Sequence, residues 1–256
     1  MRHAFFGFVI CATLASPVFA APNQAAQEKL AAKTESWSPV PKAVDAPEGG
    51  IPSDAIRLFD GSSLDAWESA KPGNLGAKAP WTIEQRDLVV APGTGDIRTK
   101  QGFCDVQLHV EWQVPSPVDN GHELTGQDRN NSGIFLQELY EVQVLDSYKA
   151  STYVNGQAGS IYKQSIPLVN ASRPPQTWQT YDIVYTAPRF AKTGKLTAPA
   201  RITVLLNGVL VQNNFAIQGP TAWIGHPRYK AHGCAPLSLQ DHGHAVRFRN
   251  IWIRPL

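Results

Sequence analysis

Phe103-Cys104-Asp105-Val106-Gln107-Leu108-His109-Val110-Glu111-Trp112-Gln113-Val114 is the clearest alternation in the chain. Successive side chains of an extended backbone point to opposite faces. Cys104, Val106, Leu108, Val110 and Trp112 therefore share one side, and Asp105, Gln107, His109 and Glu111 the other. The apolar set predicts a strand packed on a core. The polar set either meets solvent or lines a groove, so Glu111 is a candidate substrate contact.

The same period recurs on both sides of this stretch. Upstream, Ile56–Phe59, Leu64–Trp67, Trp81–Glu84 and Asp87–Val90 read as short strands, separated by Asp60-Gly61 and a Gly/Pro-rich loop from Pro72 to Pro80. Ile97–Thr99 reads as a short edge-like piece. Downstream, Ser132–Gln137 and Tyr140–Leu145 form a hairpin or a bent strand, and Ser160–Tyr162 is a further short strand. Trp178–Thr186 resumes the alternation. Arg201–Leu206 and Val209–Gln212 flank Asn207-Gly208, a dipeptide suited to the positive φ values of a type I′ hairpin turn. Leu237–Leu239 and Val246–Ile253 close the chain. Many short strands with turn residues between them, and almost no helical pattern, predict an all-β sandwich or barrel.

The ends and the composition bound the function. Arg2 and His3, an apolar run from Ala4 to Leu14, and Val18-Phe19-Ala20 have the pattern of an export signal over residues 1–20. The run is shorter than the about 20 residues of a membrane-spanning helix, so no transmembrane segment is expected. Residues 21–50 are rich in Ala, Pro, Lys and Glu and read as a disordered or extended leader, with a marginal helix over Gln24–Thr34. A single domain is expected over residues 51–256. The formal net charge is +2 and no basic block appears, which argues against nucleic acid as a partner. An exported protein lies in an oxidising compartment, where Cys104 and Cys234 are able to pair. The sequence leaves open whether they do.

Several catalytic patterns are missing: no Gly-x-Ser-x-Gly elbow, no phosphate-cradling glycine loop, no His-Glu-x-x-His. A Glu-x-Asp-x-Glu strand for a two-carboxylate glycosidase is missing too, and Glu141-Val142-Gln143 offers one carboxylate where a retaining pair needs two. Glu141 and Gln143 nonetheless stand out. They share one face of a strand whose other face holds Tyr140, Val142 and Val144, and a buried carboxylate needs a partner or a task. Asp146 falls in phase with the valines unless the strand ends first. Leu237 to His244 adds Gln240, Asp241, His242 and His244 at the mouth of the last strand, a group able to move a proton or hold a ligand.

Six stretches together resemble the 3-keto-disaccharide hydrolase family, long known as a domain of unknown function. They are Leu58–Trp67 (LFDGSSLDAW), Asn131–Phe135 (NSGIF), Tyr140–Asp146 (YEVQVLD), Gly159–Tyr162 (GSIY), Leu239–Gly243 (LQDHG) and Phe248–Ile251 (FRNI). The likeness runs from about Ile56 to Leu256, and Asp128-Arg129-Asn130 departs from it where more glycine is expected. It implies a jelly-roll β-sandwich of two antiparallel sheets, like concanavalin-type lectins and glucanases. It also implies cleavage of glycosidic bonds in sugars already oxidised to a ketone at C3. The ketone acidifies the C2 hydrogen, so one base starts elimination and water then adds to the unsaturated product.

On this reading His242 or Glu141 is the base, with Asp146 and Asp241 as further catalytic candidates. Gln143, Gln240, Asn131, Glu111 and Tyr162 would contact the substrate. The sequence demands no cofactor but allows a divalent cation, which would polarise the ketone and would sit on Glu141, Asp146 and His242. The alternative is a non-catalytic, lectin-like sugar-binding module in which Trp67, Trp223 and Trp252 stack on sugar rings.

Overall fold

The computed structural model of the chain describes residues 23–256. The export signal expected over residues 1–20 lies outside the described residues. The chain divides into two units, Met1–Ala43 and Val44–Leu256. In the first, α1 (Gln24–Ala31) starts at Asn23, whose side chain accepts a hydrogen bond from the Ala25 amide and satisfies one of the helix's free donors. A 3-10 turn, Ala32–Thr34, continues it, and neither element buries a residue.

In the second unit the strands are, in chain order, β1 (Ile56–Phe59), β2 (Trp67–Ser69), β3 (Thr82–Glu84), β4 (Asp87–Val89), β5 (Ile97–Phe103), β6 (Val106–Gln113), β7 (Val118–Asp119), β8 (His122–Glu123), β9 (Ser132–Leu136), β10 (Tyr140–Val144), β11 (Gln179–Thr186), β12 (Arg189–Phe190), β13 (Leu196–Ala198), β14 (Arg201–Leu206), β15 (Val209–Ala216), β16 (Ala235–Leu239) and β17 (Arg247–Pro255). An eight-stranded sheet runs β15-β14-β11-β6-β17-β4-β3, with β1 also paired to β17. A five-stranded sheet runs β10-β9-β16-β5-β2. All of these pairings are antiparallel.

The two sheets bury their apolar faces against each other, as the all-β sandwich reading expects. Leu108, Val110 and Trp112 of β6 and Ile183 of β11 meet Ile134, Val142 and Val144 in one core. Tyrosines bridge the layers: the Tyr181 hydroxyl donates to the Gln143 carbonyl at 2.6 Å, and the Tyr185 hydroxyl to Gln137 Oε1 at 2.8 Å. Asn207 and Gly208 turn the β14–β15 hairpin with φ of 55° and 79°, as the sequence predicts. Gln137 and Glu138 make the same kind of turn between β9 and β10 without a glycine, at φ 54° and 58°. Gln137 offsets the strain through its side chain, which is held by Tyr185 and donates to the Phe103 carbonyl at 3.1 Å.

The quoted alternation is not one strand. Phe103 ends β5 in one sheet and Val106 begins β6 in the other, so the chain changes layers at Cys104-Asp105. Cys104 sits in that corner and forms a disulfide with Cys234, with Cα atoms 4.7 Å apart. Asp105 accepts a hydrogen bond from the Ala187 amide and pairs with Arg189. The piece expected as an edge, Ile97–Thr99, is the start of β5, which lies between β16 and β2. Among the described residues, no helix is long and apolar enough to cross a membrane.

Candidate active site

The β9–β10 hairpin supplies the chemistry by simple alternation. Tyr140, Val142 and Val144 enter the core, so Glu141 and Gln143 point out of the opposite face. Their cross-strand partners on β9 are Phe135 and Gly133. β10 is an edge strand, and bare edges invite pairing with other chains. Here two irregular segments cover it. Gly159 to Tyr162 exchanges backbone bonds with Gln143 and Glu141, at 3.1 to 3.3 Å. Thr221 donates its amide to the Leu139 carbonyl at 2.7 Å, and its hydroxyl accepts the Glu141 amide at 3.0 Å. A cavity of about 600 Å³ opens between these segments and the sheet.

Glu141 lines that cavity and is only 4% exposed. Burial pushes its carboxyl up to about 8, and the negative charge of Asp96 adds to the shift. No hydrogen bond or salt bridge holds this carboxyl among the described residues. It is the one carboxylate among the lining side chains.

Gln143 lies at the floor, fully buried, and spends both amide protons on Gln127 Oε1 (3.1 Å) and Asn131 Oδ1 (3.2 Å). Asn131 in turn donates to the Gln127 carbonyl at 3.0 Å. Among the described residues, the buried Oε1 atoms of Gln143 and Gln240 have no hydrogen-bond partner. Such acceptors are costly unless satisfied, and a ligand's hydroxyls are the obvious donors. On another wall, the Tyr162 and Tyr153 hydroxyls share a 2.6 Å hydrogen bond, and the Tyr162 hydroxyl is pushed up by burial and by Tyr153. Lys163 lies over both rings and donates to the Trp223 carbonyl at 2.8 Å. Trp223 stands at the mouth, 71% exposed.

His242 reaches the cavity from the β16–β17 loop and is exposed to solvent. Its loop is clipped to the β4–β5 loop by reciprocal bonds. The Asp241 amide donates to Asp96 Oδ1, and the Gly95 amide donates to Asp241 Oδ2, both at 2.8 Å.

The structure thus gathers Glu141, Gln143, Asn131, Gln240, Tyr162 and His242 around one space. Other candidates lie elsewhere. Asp241 closes its own loop, accepting from the Gly95 and Gly243 amides, and does not line the cavity. Asp146 follows the end of β10 and is buried against Arg129 at 2.5 Å. Glu111 is on the outer face of the eight-stranded sheet, bonded to Arg249 (2.7 Å) and Asn250 (2.9 Å). That polar face of β6 carries a half-buried charge network. His244 is half-buried outside the cavity, its imidazole held down by burial and by His242. With Asp146 committed to Arg129, the cation set Glu141–Asp146–His242 is not assembled. Among the described residues no group of three or more His, Cys, Asp or Glu is placed to hold a metal. Trp67 is core, its indole N–H bonded to the Leu58 carbonyl, and Trp252 stacks on His109. Of the three tryptophans only Trp223 reaches the cavity.

Sequence reasoning does not find Gln127, Phe135, Asp96 or Thr221. Thr221 comes from a Gly- and Pro-containing irregular segment, 80 residues from the Glu141 it touches. Only the folded topology brings them together.

Residues 54–254 match the 3-keto-alpha-glucoside-1,2-lyase-like domain. Among characterised proteins, a 3-keto-disaccharide hydrolase from Bacteroides thetaiotaomicron is 24% identical over 215 residues, 72% of this chain and 73% of that one. Among solved structures, a putative glycosyl hydrolase from Parabacteroides distasonis shares 50% identity at a TM-score of 0.80, covering 88% of this chain and 96% of the other. A second structure of that description from the same organism, at 21% identity and a TM-score of 0.56, covers 79% and 94% and shares the fold.

Proposed function

The chain belongs to the 3-keto-alpha-glucoside-1,2-lyase-like family, and from that premise we propose that its cavity cleaves the glycosidic bond of sugars carrying a ketone at C3. Glu141 takes the C2 hydrogen as a proton, and the electron pair of the broken C–H bond is delocalised onto the C3 oxygen. The pair returns as the C1–O bond breaks, leaving a C1=C2 double bond beside the restored ketone. The departing oxygen takes a proton from His242. Water then adds across the double bond, its oxygen to C1 and a hydrogen to C2, so that the sum is hydrolysis. Gln143, Gln240, Asn131 and Tyr162 orient the ring.

One observation carries this reading: a buried carboxyl that has no hydrogen-bond or ion-pair partner among the described residues and is the one carboxylate lining the cavity. Direct two-carboxylate hydrolysis needs a second carboxyl across the bond. Elimination next to a ketone needs only a base tuned toward neutral pH, and burial does that tuning here. The Cys104–Cys234 disulfide supports a site of action outside the cytoplasm.

The test is incubation of the purified protein with a 3-keto glucoside bearing a chromogenic leaving group, with the unoxidised glucoside as control and with or without a chelator. Release from the keto sugar alone is expected, unchanged by the chelator; loss on chelation would add a metal to the mechanism. Binding of either sugar without release would instead identify a lectin-like module.

A further inference from the structure

A base at C2 is half of the chemistry just described, on which this inference rests. The other half is a donor for the C3 oxygen, which gains the electron pair as the C2–H bond breaks. Donors fixed in place before the reaction are worth the most there. Because the C3 oxygen is two bonds from C2, that donor must be an immediate neighbour of the base.

Several of the cavity's polar protons are already spent. Gln143 spends both amide protons on Gln127 and Asn131. Gln127 spends its own on Thr152 Oγ1 and the Gly156 carbonyl. One of the Tyr153 and Tyr162 protons is consumed in their mutual bond. Thr221 differs. Its Oγ1 accepts the Glu141 amide at 3.0 Å, which occupies a lone pair and leaves the hydroxyl's own proton free to turn into the cavity. No acceptor for that proton is present among the described residues. Thr221 is also held rigidly: its amide donates to the Leu139 carbonyl, so bonds to residues 139 and 141 rivet it to the edge of β10. A hydroxyl that accepts one hydrogen bond is polarised into a better donor of the next.

We propose that Thr221 is a catalytic residue, donating its hydroxyl proton as a hydrogen bond to the C3 oxygen of the substrate while Glu141 removes the C2 hydrogen. The proton stays on Thr221 throughout; the charge it stabilises leaves with the C1–O bond.

The test compares Thr221→Val and Thr221→Ser with the unaltered protein on a chromogenic 3-keto glucoside, alongside thermal unfolding. Removing one such donor lowers kcat by roughly 100-fold or more, so Thr221→Val is expected to lose that much with KM within about threefold. Thr221→Ser keeps the hydroxyl and should stay within about tenfold of the unaltered kcat. If Thr221→Val does not fold, Thr221→Cys replaces it, expected at least about tenfold below Thr221→Ser because a thiol is a weak donor. Equal turnover of the hydroxyl-bearing and hydroxyl-free proteins overturns the role of Thr221 alone. No turnover by the unaltered protein overturns the proposed reaction and this role with it.

Discussion

The Glu141 carboxylate lies over the α-carbon of Gly133 on the neighbouring strand: a β-carbon built there would stand 2.7 Å from Glu141 Oε1 and 2.8 Å from the Phe135 ring. Glycine is required at this point for space rather than for a turn. Gly133→Ala is therefore expected to fold, because strand backbone accepts alanine, while swinging the carboxylate out of place. A displacement of about 1 Å at a reacting group can lower turnover by about 100-fold. Steady-state kinetics together with a thermal melt decide the point. Near-normal kcat in a folded Gly133→Ala protein would show that the present position of Glu141 does not matter.

Glu141 gives opposite signs for activity and stability. Its carboxyl is raised from 4.5 to about 8 by burial and then by Asp96. As a base it works only when ionised, so kcat/KM is expected to rise with pH and level off above about 8. Because the folded value lies above the unfolded one, the group's contribution to stability is complete below 4.5. It is lost as pH rises through 8, when the buried group must ionise. Glu141→Gln removes both effects. It should lose about 100-fold or more in turnover, yet at pH 9 unfold later than the unaltered protein, by up to about 5 kcal/mol at about 1.4 kcal/mol per pK unit. Denaturation at pH 5 and pH 9 separates the cases; a variant no more stable at pH 9 would mean Glu141 is not desolvated in solution.

How far the sequence discloses this site depends on the range of the interaction. Alternation at Tyr140–Val144 reveals which side Glu141 and Gln143 face, because that needs only a period of two. The hairpin at Asn207-Gly208 is equally local. The role of Asp241 is not: its residue type fits catalysis, but Gly95, 146 positions earlier, claims its carboxylate. Glu111 is bound by Arg249, 138 positions later, which no strand pattern foretells. Charged groups look alike in sequence whether they meet a substrate or an ion-pair partner.

Asp146 illustrates the difference. It is buried with Arg129 Nη2 at 2.5 Å, while Arg129 Nη1 reaches Glu123 at 2.9 Å and the Leu124 carbonyl at 3.2 Å. The pair ties the long loop before β9 to the end of β10. Removing one partner of a buried ion pair leaves an uncompensated charge and costs about 3–5 kcal/mol. Asp146→Ala is expected to show that loss in chemical denaturation while the folded fraction keeps kcat within a few-fold. A stable variant with kcat reduced by orders of magnitude would return Asp146 to the catalytic set.

On the outer face of the other sheet, His109 Nδ1 bonds Asp182 at 2.7 Å, and its ring stacks on Trp252 at 5.2 Å. Burial opposes its charge, but the bond to Asp182 and the Glu111 carboxylate 3.8 Å away outweigh burial and raise the imidazole from 6.5 to about 9. Glu111 is lowered to about 2, first by His109 and then, against the opposing effect of burial, by Asn250 and Arg249. The His109 contribution is complete below pH 6.5 and disappears as pH rises through 9. The Glu111 contribution is present above 4.5 and disappears as pH falls through 2. Between those limits His109→Gln is expected to lower stability by about 1–2 kcal/mol, a modest figure because Asp182 is 42% exposed and partly screened. The deficit should shrink above pH 9, with kcat unchanged, since neither His109 nor Glu111 lines the cavity. Urea denaturation of the two proteins at pH 6 and pH 10 measures it; an equal deficit at both would mean His109 acts through packing on Trp252, not through its charge.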